Sequence, residues 1–285
     1  MASRAEDMER HLREAGLLTG ETTDLYEQWL RNAADRGVSV NEILKITREH
    51  GITPEDFAIL EGMEVFYDPD GKAFFLLPEN ISGEDAKKAV IMTYIVNAGT
   101  DYGTADDPAN SQYDRTSSMD DYPETPYSSD EITRIMARQN ANSWSYSEDV
   151  GFVNSNQGRM VTTPNGMIMG LGGDRILNQY SRYGGTTWGD IFMLNIDDPR
   201  HAVDALRNVV EGGSAPIAQD PDGATNHYLD LDRLLHHEER HSQQWADEGH
   251  LRFGLSYLWQ AATHRGKGAE IPYEQDAGLA DGGYK

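Results

Sequence analysis

Six of the nine histidines lie after residue 226, and two of them frame His237-Glu238-Glu239-Arg240-His241, an HExxH motif. On a helix, positions i and i+4 project from one side, so both imidazoles can reach one metal ion. Glu238 follows the first ligand and can lean toward the metal's open position. There it would take a proton from bound water. The chemistry expected is therefore Zn²⁺-assisted hydrolysis. The chain has no cysteine, which excludes thiolate ligands, thiolate nucleophiles and disulfides.

A catalytic zinc ion needs a third protein ligand and one position left for water or substrate. Asp247 lies six residues past His241, the place of a metzincin-type ligand, but that pattern wants glycine at a turn where this chain has Gln244. His250 and His264 qualify by chemistry alone. Glu274 is the fourth candidate, in IPYEQDAGLADGGY. Oxyanion stabilisation calls for a further donor, with Tyr284, His264 and Tyr257 the choices by position. Asp276 and Asp281 are the candidates to fix an imidazole tautomer from behind. His236 points about 100° away from His237 around a helix and is expected at the surface or in packing.

The motif needs a helix, and its surroundings supply one. Asp230 or Asp232 can cap it, Leu231, Leu234 and Leu235 form a core-facing stripe, and no Pro or Gly interrupts Leu229 to Glu248. Pro272 suits a helix start, which predicts a short helix over Tyr273–Leu279 carrying Glu274. Between them, LRFGLSYLWQAATHRG reads as an apolar helix that returns the chain to the metal.

Upstream, helices are expected over Leu25–Asp35 (capped by Thr23 or Asp24), after Ser39, after Thr53-Pro54 and after Ser82. Glu64–Tyr67 and Lys72–Leu77 flank Asp68-Pro69-Asp70-Gly71, a hairpin turn rather than a calcium loop, because the sixth loop position is Ala73. Asp220-Pro221-Asp222-Gly223 reads as another turn. Gly170-Leu171-Gly172-Gly173 lacks the spacing and lysine of a phosphate loop. A helix is predicted from about Ser129 to Asn140. VGFVNS, RMVTTP, GMIMGLG and TTWGDIFMLN read as strands, with Asn165-Gly166 as a tight turn. Residues 101–127 are acidic and polar and read as a linker or loop. That divides the chain into a helical region with a hairpin (1–100) and a zincin-like unit expected to be catalytic (128–285).

The C-terminal part, from about residue 186, resembles a gluzincin-type zinc metallopeptidase: HExxH on one helix, then a glutamate from a later helix. Glu274-Gln275-Asp276-Ala277 is similar to the E-x-x-A form of the third-ligand motif in that group. HHEERHSQQW resembles the HE-x-x-H-x-x-Q segment of small metallopeptidase-like domains in actinobacterial secreted and polymorphic-toxin-type proteins. The resemblance implies that His237, His241 and Glu274 hold Zn²⁺, that Glu238 is the general base, and that TTWGDIFMLN is an edge strand receiving an extended peptide. Trp188 and Phe192 would then line the cleft, unless they are ordinary core residues.

Charge bounds the partners. Lys+Arg is 24 against 48 for Asp+Glu, a formal net charge of −24. Phosphate backbones and anionic membranes both demand the opposite sign, so neither nucleic acid nor a membrane surface is expected. No apolar run reaches membrane-spanning length. The N-terminus has no apolar core of a secretory signal, so the expected location is the cytoplasm before any export, and secretion without a cleaved signal peptide fits as well. The fold expected is α+β, with a zincin-like helix packed on a small mixed or antiparallel sheet after a helical N-terminal region. The function expected is a zinc-dependent metallopeptidase acting on a peptide or protein. The alternative is a non-catalytic secreted effector, docking or assembly module with a structural or vestigial metal site and a secretion-system or assembly partner.

Overall fold

The computed structural model describes residues 3–102, 126–172, 185–194, 201–217, 227–249 and 272–277. Expectations for His250, Tyr257, His264, Asp281, Tyr284, the turn at 220–223, the helix over 251–266 and most of the acidic segment fall outside these residues.

Local signals set the N-terminal helices. α1 (Arg4–Glu14) starts at Ser3, whose hydroxyl accepts from the Glu6 N–H while the Glu6 carboxylate accepts from the Ser3 N–H. Thr23 caps α2 (Asp24–Asp35), Ser39 caps α3 (Val40–His50) and Ser82 caps α4 (Gly83–Val96). A 3₁₀ helix (Pro54–Leu60) follows Thr53. Tyr26, Trp29 and Phe57 are fully buried and meet edge-on or tilted at centroid distances of 5.4 to 6.0 Å. Such pairs add about 0.5–1.5 kcal/mol each beyond area burial. The hairpin β1 (Val65–Tyr67) and β2 (Ala73–Phe75) closes through Asp68, whose carboxylate accepts from the Asp70 and Lys72 N–H groups.

Helix α5 (Ser129–Ala141) is capped by Ser128 and leads through a π-helical turn (Ser145–Asp149) into α6 (Val150–Ser155). The expectation that VGFVNS is a strand is thus overturned. Val150 and Val153 bury the same side of a helical turn continuous with the preceding one, and that packing outweighs their β-propensity.

A four-stranded mixed sheet follows, in the order β3 (Gly158–Thr162), β4 (Ile168–Gly172), β6 (Ile191–Leu194), β5 (Gly185–Trp188). β4 and β6 run parallel and the other pairs antiparallel. Asn165-Gly166 makes the β3–β4 turn, Gly166 having φ +77°. TTWGDIFMLN, read as one strand, is a hairpin. Gly189 (φ +56°) and the fully buried Asp190 turn the chain between β5 and β6.

The sheet buries both faces. Met160, Ile168, Ile191 and Met193 join a cluster with α1–α6, which therefore draws on residues from both sides of the acidic segment. Val161, Met169, Leu171, Phe192 and Leu194 meet α7 (Ala202–Gly212) and α8 (Leu231–Glu248) on the opposite face. β7 (Ser214–Ile217) and β8 (His227–Asp230) form a separate hairpin that delivers the chain into α8. The last described element is α9 (Pro272–Ala277). The architecture is α+β with small sheets. No described helix is long and apolar enough to cross a membrane.

Candidate metal centre

The motif helix α8 begins where Asp230 accepts from the Arg233 N–H at 3.0 Å and runs unbroken to Glu248. Its Leu stripe (Leu231, Leu234, Leu235) sits in the core and fixes which way the remaining faces point. His237 and His241, one turn apart, lie side by side with ring centroids 4.6 Å apart. Glu274 of α9 meets them. His237 Nε2 and His241 Nε2 are 3.1 Å apart, and each lies 3.3 Å from Glu274 Oε2. All three residues are buried. Metal–ligand bonds of about 2.0–2.1 Å in a tetrahedron put neighbouring ligand atoms about 3.3 Å apart, so this triangle has the size of one tetrahedral face.

The other ring nitrogens explain why the triangle faces inward. His237 Nδ1 donates to the Ala277 carbonyl at 3.2 Å, and His241 Nδ1 donates to Gln244 Oε1 at 2.9 Å. With those protons committed, two Nε2 lone pairs and a carboxylate oxygen converge, and a cation relieves their repulsion. Metal-free, a proton takes that part. Burial alone would pull the His241 pKa down, but the Glu274 carboxylate outweighs it and raises His241 to about 9. The imidazoles in turn hold Glu274 well below the usual carboxylate range, against the effect of burial. The residues present fit a divalent ion with nitrogen and oxygen ligands.

Glu238 is buried beside the triad, and its Oε2 accepts from the Thr187 hydroxyl of β5 at 2.6 Å. The Trp245 indole N–H donates to the Thr187 carbonyl at 2.8 Å. β5 therefore lies at the sheet edge beside the motif helix, and one carbonyl on it is already engaged. Phe192 is buried in the core and does not line a cleft; Trp188 is half-buried.

The third-ligand candidates separate. Asp247 is exposed and accepts from Gln243 at 2.8 Å, so it is not at the triad. Asp276 does not reach an imidazole. It accepts from Gln244 Nε2 at 2.8 Å and Arg240 Nε at 2.6 Å, one step farther out. His236 is fully buried, packed on Tyr102 at 4.8 Å between centroids.

Several contributors had no assignment from sequence. Gln244 backs His241, and its i+3 spacing was the available signal. Thr187 reaches Glu238 from another element, for which no sequence signal exists. On the far side of α8, buried Glu239 pairs with Arg138 at 2.7 Å, with Arg134 and with the Tyr102 hydroxyl. Burial would raise the Glu239 carboxyl, but the two guanidinium groups outweigh it and hold it below its ordinary value. Fully buried Asp190 accepts from Asn142 at 2.8 Å, Ser242 at 2.6 Å and Tyr146 at 2.6 Å. This polar layer ties α5 and the β5–β6 turn to the back of the motif helix.

A second acidic group, Asp68, Asp70 and Asp232, borders a cavity of about 800 Å³ at the start of α8. The Lys72 ammonium stands among these carboxylates, 2.7 Å from Asp232 and 3.2 Å from Asp68, and fills the cation's place itself.

No protein-family model, curated protein or solved structure matches the chain.

Proposed function

We propose that the chain is a zinc-dependent hydrolase, a metallopeptidase of the zincin type cleaving a peptide or protein. The observation that carries the reading is the buried triangle of His237 Nε2, His241 Nε2 and Glu274 Oε2, with both Nδ1 atoms turned outward to carbonyl acceptors. Zn²⁺ bound there would lower the pKa of a bound water toward about 7 and polarise a scissile carbonyl. Glu238 accepts the water proton at its carboxylate and returns it to the leaving amine. The Thr187 hydroxyl orients that carboxylate. The oxyanion donor is assigned to Tyr284 on its sequence position alone. The formal net charge of −24 fits a substrate or partner that is not polyanionic.

Metal analysis tests the site and Glu238→Gln tests the chemistry. The purified protein should hold one zinc per chain, His241→Ala should lose it, and Glu238→Gln should keep it while turnover of a quenched-fluorescent peptide library falls at least a hundredfold. A folded parent chain without stoichiometric metal, or unchanged turnover in Glu238→Gln, overturns the proposal.

One observation favours a structural ion instead: Glu238 is buried and its carboxylate is already engaged by Thr187. Under that reading chelation unfolds the chain. Under the enzymatic reading it abolishes turnover and leaves the circular dichroism spectrum intact, because side-chain bonds also hold α9.

A further inference from the structure

Gln244 sits on α8 three residues past His241 and is buried. Its amide has two chemically different ends, and both are used. Oε1 accepts from His241 Nδ1 at 2.9 Å. Nε2 donates to the Tyr273 carbonyl at 3.1 Å and to Asp276 Oδ2 at 2.8 Å. Two acceptors on one side and a ring N–H on the other allow a single orientation of the amide. Tyr273 and Asp276 bracket Glu274 in the chain. One side chain therefore grips one ligand ring directly and grips the helix that carries another ligand.

We infer that Gln244 is a positioning residue that sets the tautomer of His241 and the seat of Glu274 together, so that the three ligand atoms converge before an ion arrives. This rests on the reading of the triad as a metal site. Neither end is dispensable. A hydrocarbon at 244 offers no acceptor to His241 and no donor to α9. A glutamate keeps the acceptor but sets a carboxylate against Asp276 and the Tyr273 carbonyl, which pushes α9 away. Asp276 also accepts from Arg240 at 2.6 Å. That bond ends on the same Oδ2 that Gln244 uses, so in Gln244→Glu/Asp276→Asn an amide nitrogen placed there donates to the new carboxylate and gives up the Arg240 bond. The Asp276 arm of the bracket would then be rebuilt with reversed polarity, while the Tyr273 arm stays broken.

The test is zinc affinity, measured on the full chain by competition with a chromophoric chelator, with circular dichroism reporting the fold. Gln244→Leu should bind zinc about 10- to 100-fold more weakly than the parent, the usual effect of removing a partner behind a ligand. Gln244→Glu should be weakened as well, Asp276→Asn alone by only a few-fold, and the double variant Gln244→Glu/Asp276→Asn should recover several-fold over Gln244→Glu. General destabilisation does not produce such rescue, and the comparison of double with single variant stands even if Gln244→Leu does not fold. Parental affinity in both single Gln244 variants, or no recovery in the double variant, overturns the inference while leaving the metal site intact. A folded parent chain that does not bind zinc overturns the metal site and the inference with it.

Discussion

The Thr187 hydroxyl donates to Glu238 Oε2 at 2.6 Å, joining a sheet-edge residue to the carboxylate inside the HExxH motif. Hydrogen bonds to charged groups contribute about 1.5–3 kcal/mol. Thr187→Val should therefore lower turnover at least tenfold with zinc content unchanged, because the carboxylate loses the contact that aims it. Thr187→Ser keeps the donor and should retain most of the activity. Side-by-side kinetics and metal analysis of the two variants check this.

The layer behind the motif helix should be a major source of stability. Glu239 is buried against Arg138 and Arg134. Removing one member of such a group leaves uncompensated buried charge, at a cost of about 3–5 kcal/mol. Glu239→Ala should lower the urea midpoint accordingly, although the residue contacts no ligand atom of the triad. A midpoint within error of the parent would contradict the assignment.

Asp149 predicts a pH dependence unrelated to the metal. Burial, and secondarily the neighbouring Glu148, raise its pKa to about 6 from an ordinary 3.8, and its Oδ2 has no hydrogen-bond partner among the described residues. The folded chain then holds a proton that the unfolded chain has released, so stability falls as pH rises between these values. Asp149→Asn should melt higher than the parent at about pH 8, and the difference should vanish near pH 3. Thermal melts across pH decide it.

Gly166 should resist substitution. Its φ is +77°, and a Cβ there would lie 2.9 Å from Ile135 Cγ2. Backbone strain of about 1–3 kcal/mol is expected. Because Arg138 also donates to the Gly166 carbonyl at 2.6 Å, Gly166→Ala should disturb the buried ion pairs as well. Chemical denaturation measures the loss.

Much of what depends on neighbours in the chain was legible in the sequence, although the local Gly189-Asp190 turn inside TTWGDIFMLN was not. Ser39, Ser82 and Asp230 cap helices because their side chains reach N–H groups three residues on. His237 and His241 share a face because a helix turns in 3.6 residues. Asn165-Gly166 turns because glycine tolerates positive φ. Tertiary structure decided everything that depends on meeting across distance. Glu274 rather than Asp247 stands at the imidazoles because α8 continues straight through Gln244 and α9 docks on its flank. Thr187 meets Glu238 because the β5–β6 turn is pinned by Asp190. VGFVNS is helical because its valines pack on one side of a turn begun at Ser145, a choice made by the surrounding core and not by propensity. Local spacing sets which way a side chain leaves its own element; the packing of apolar faces sets which other element it finds there.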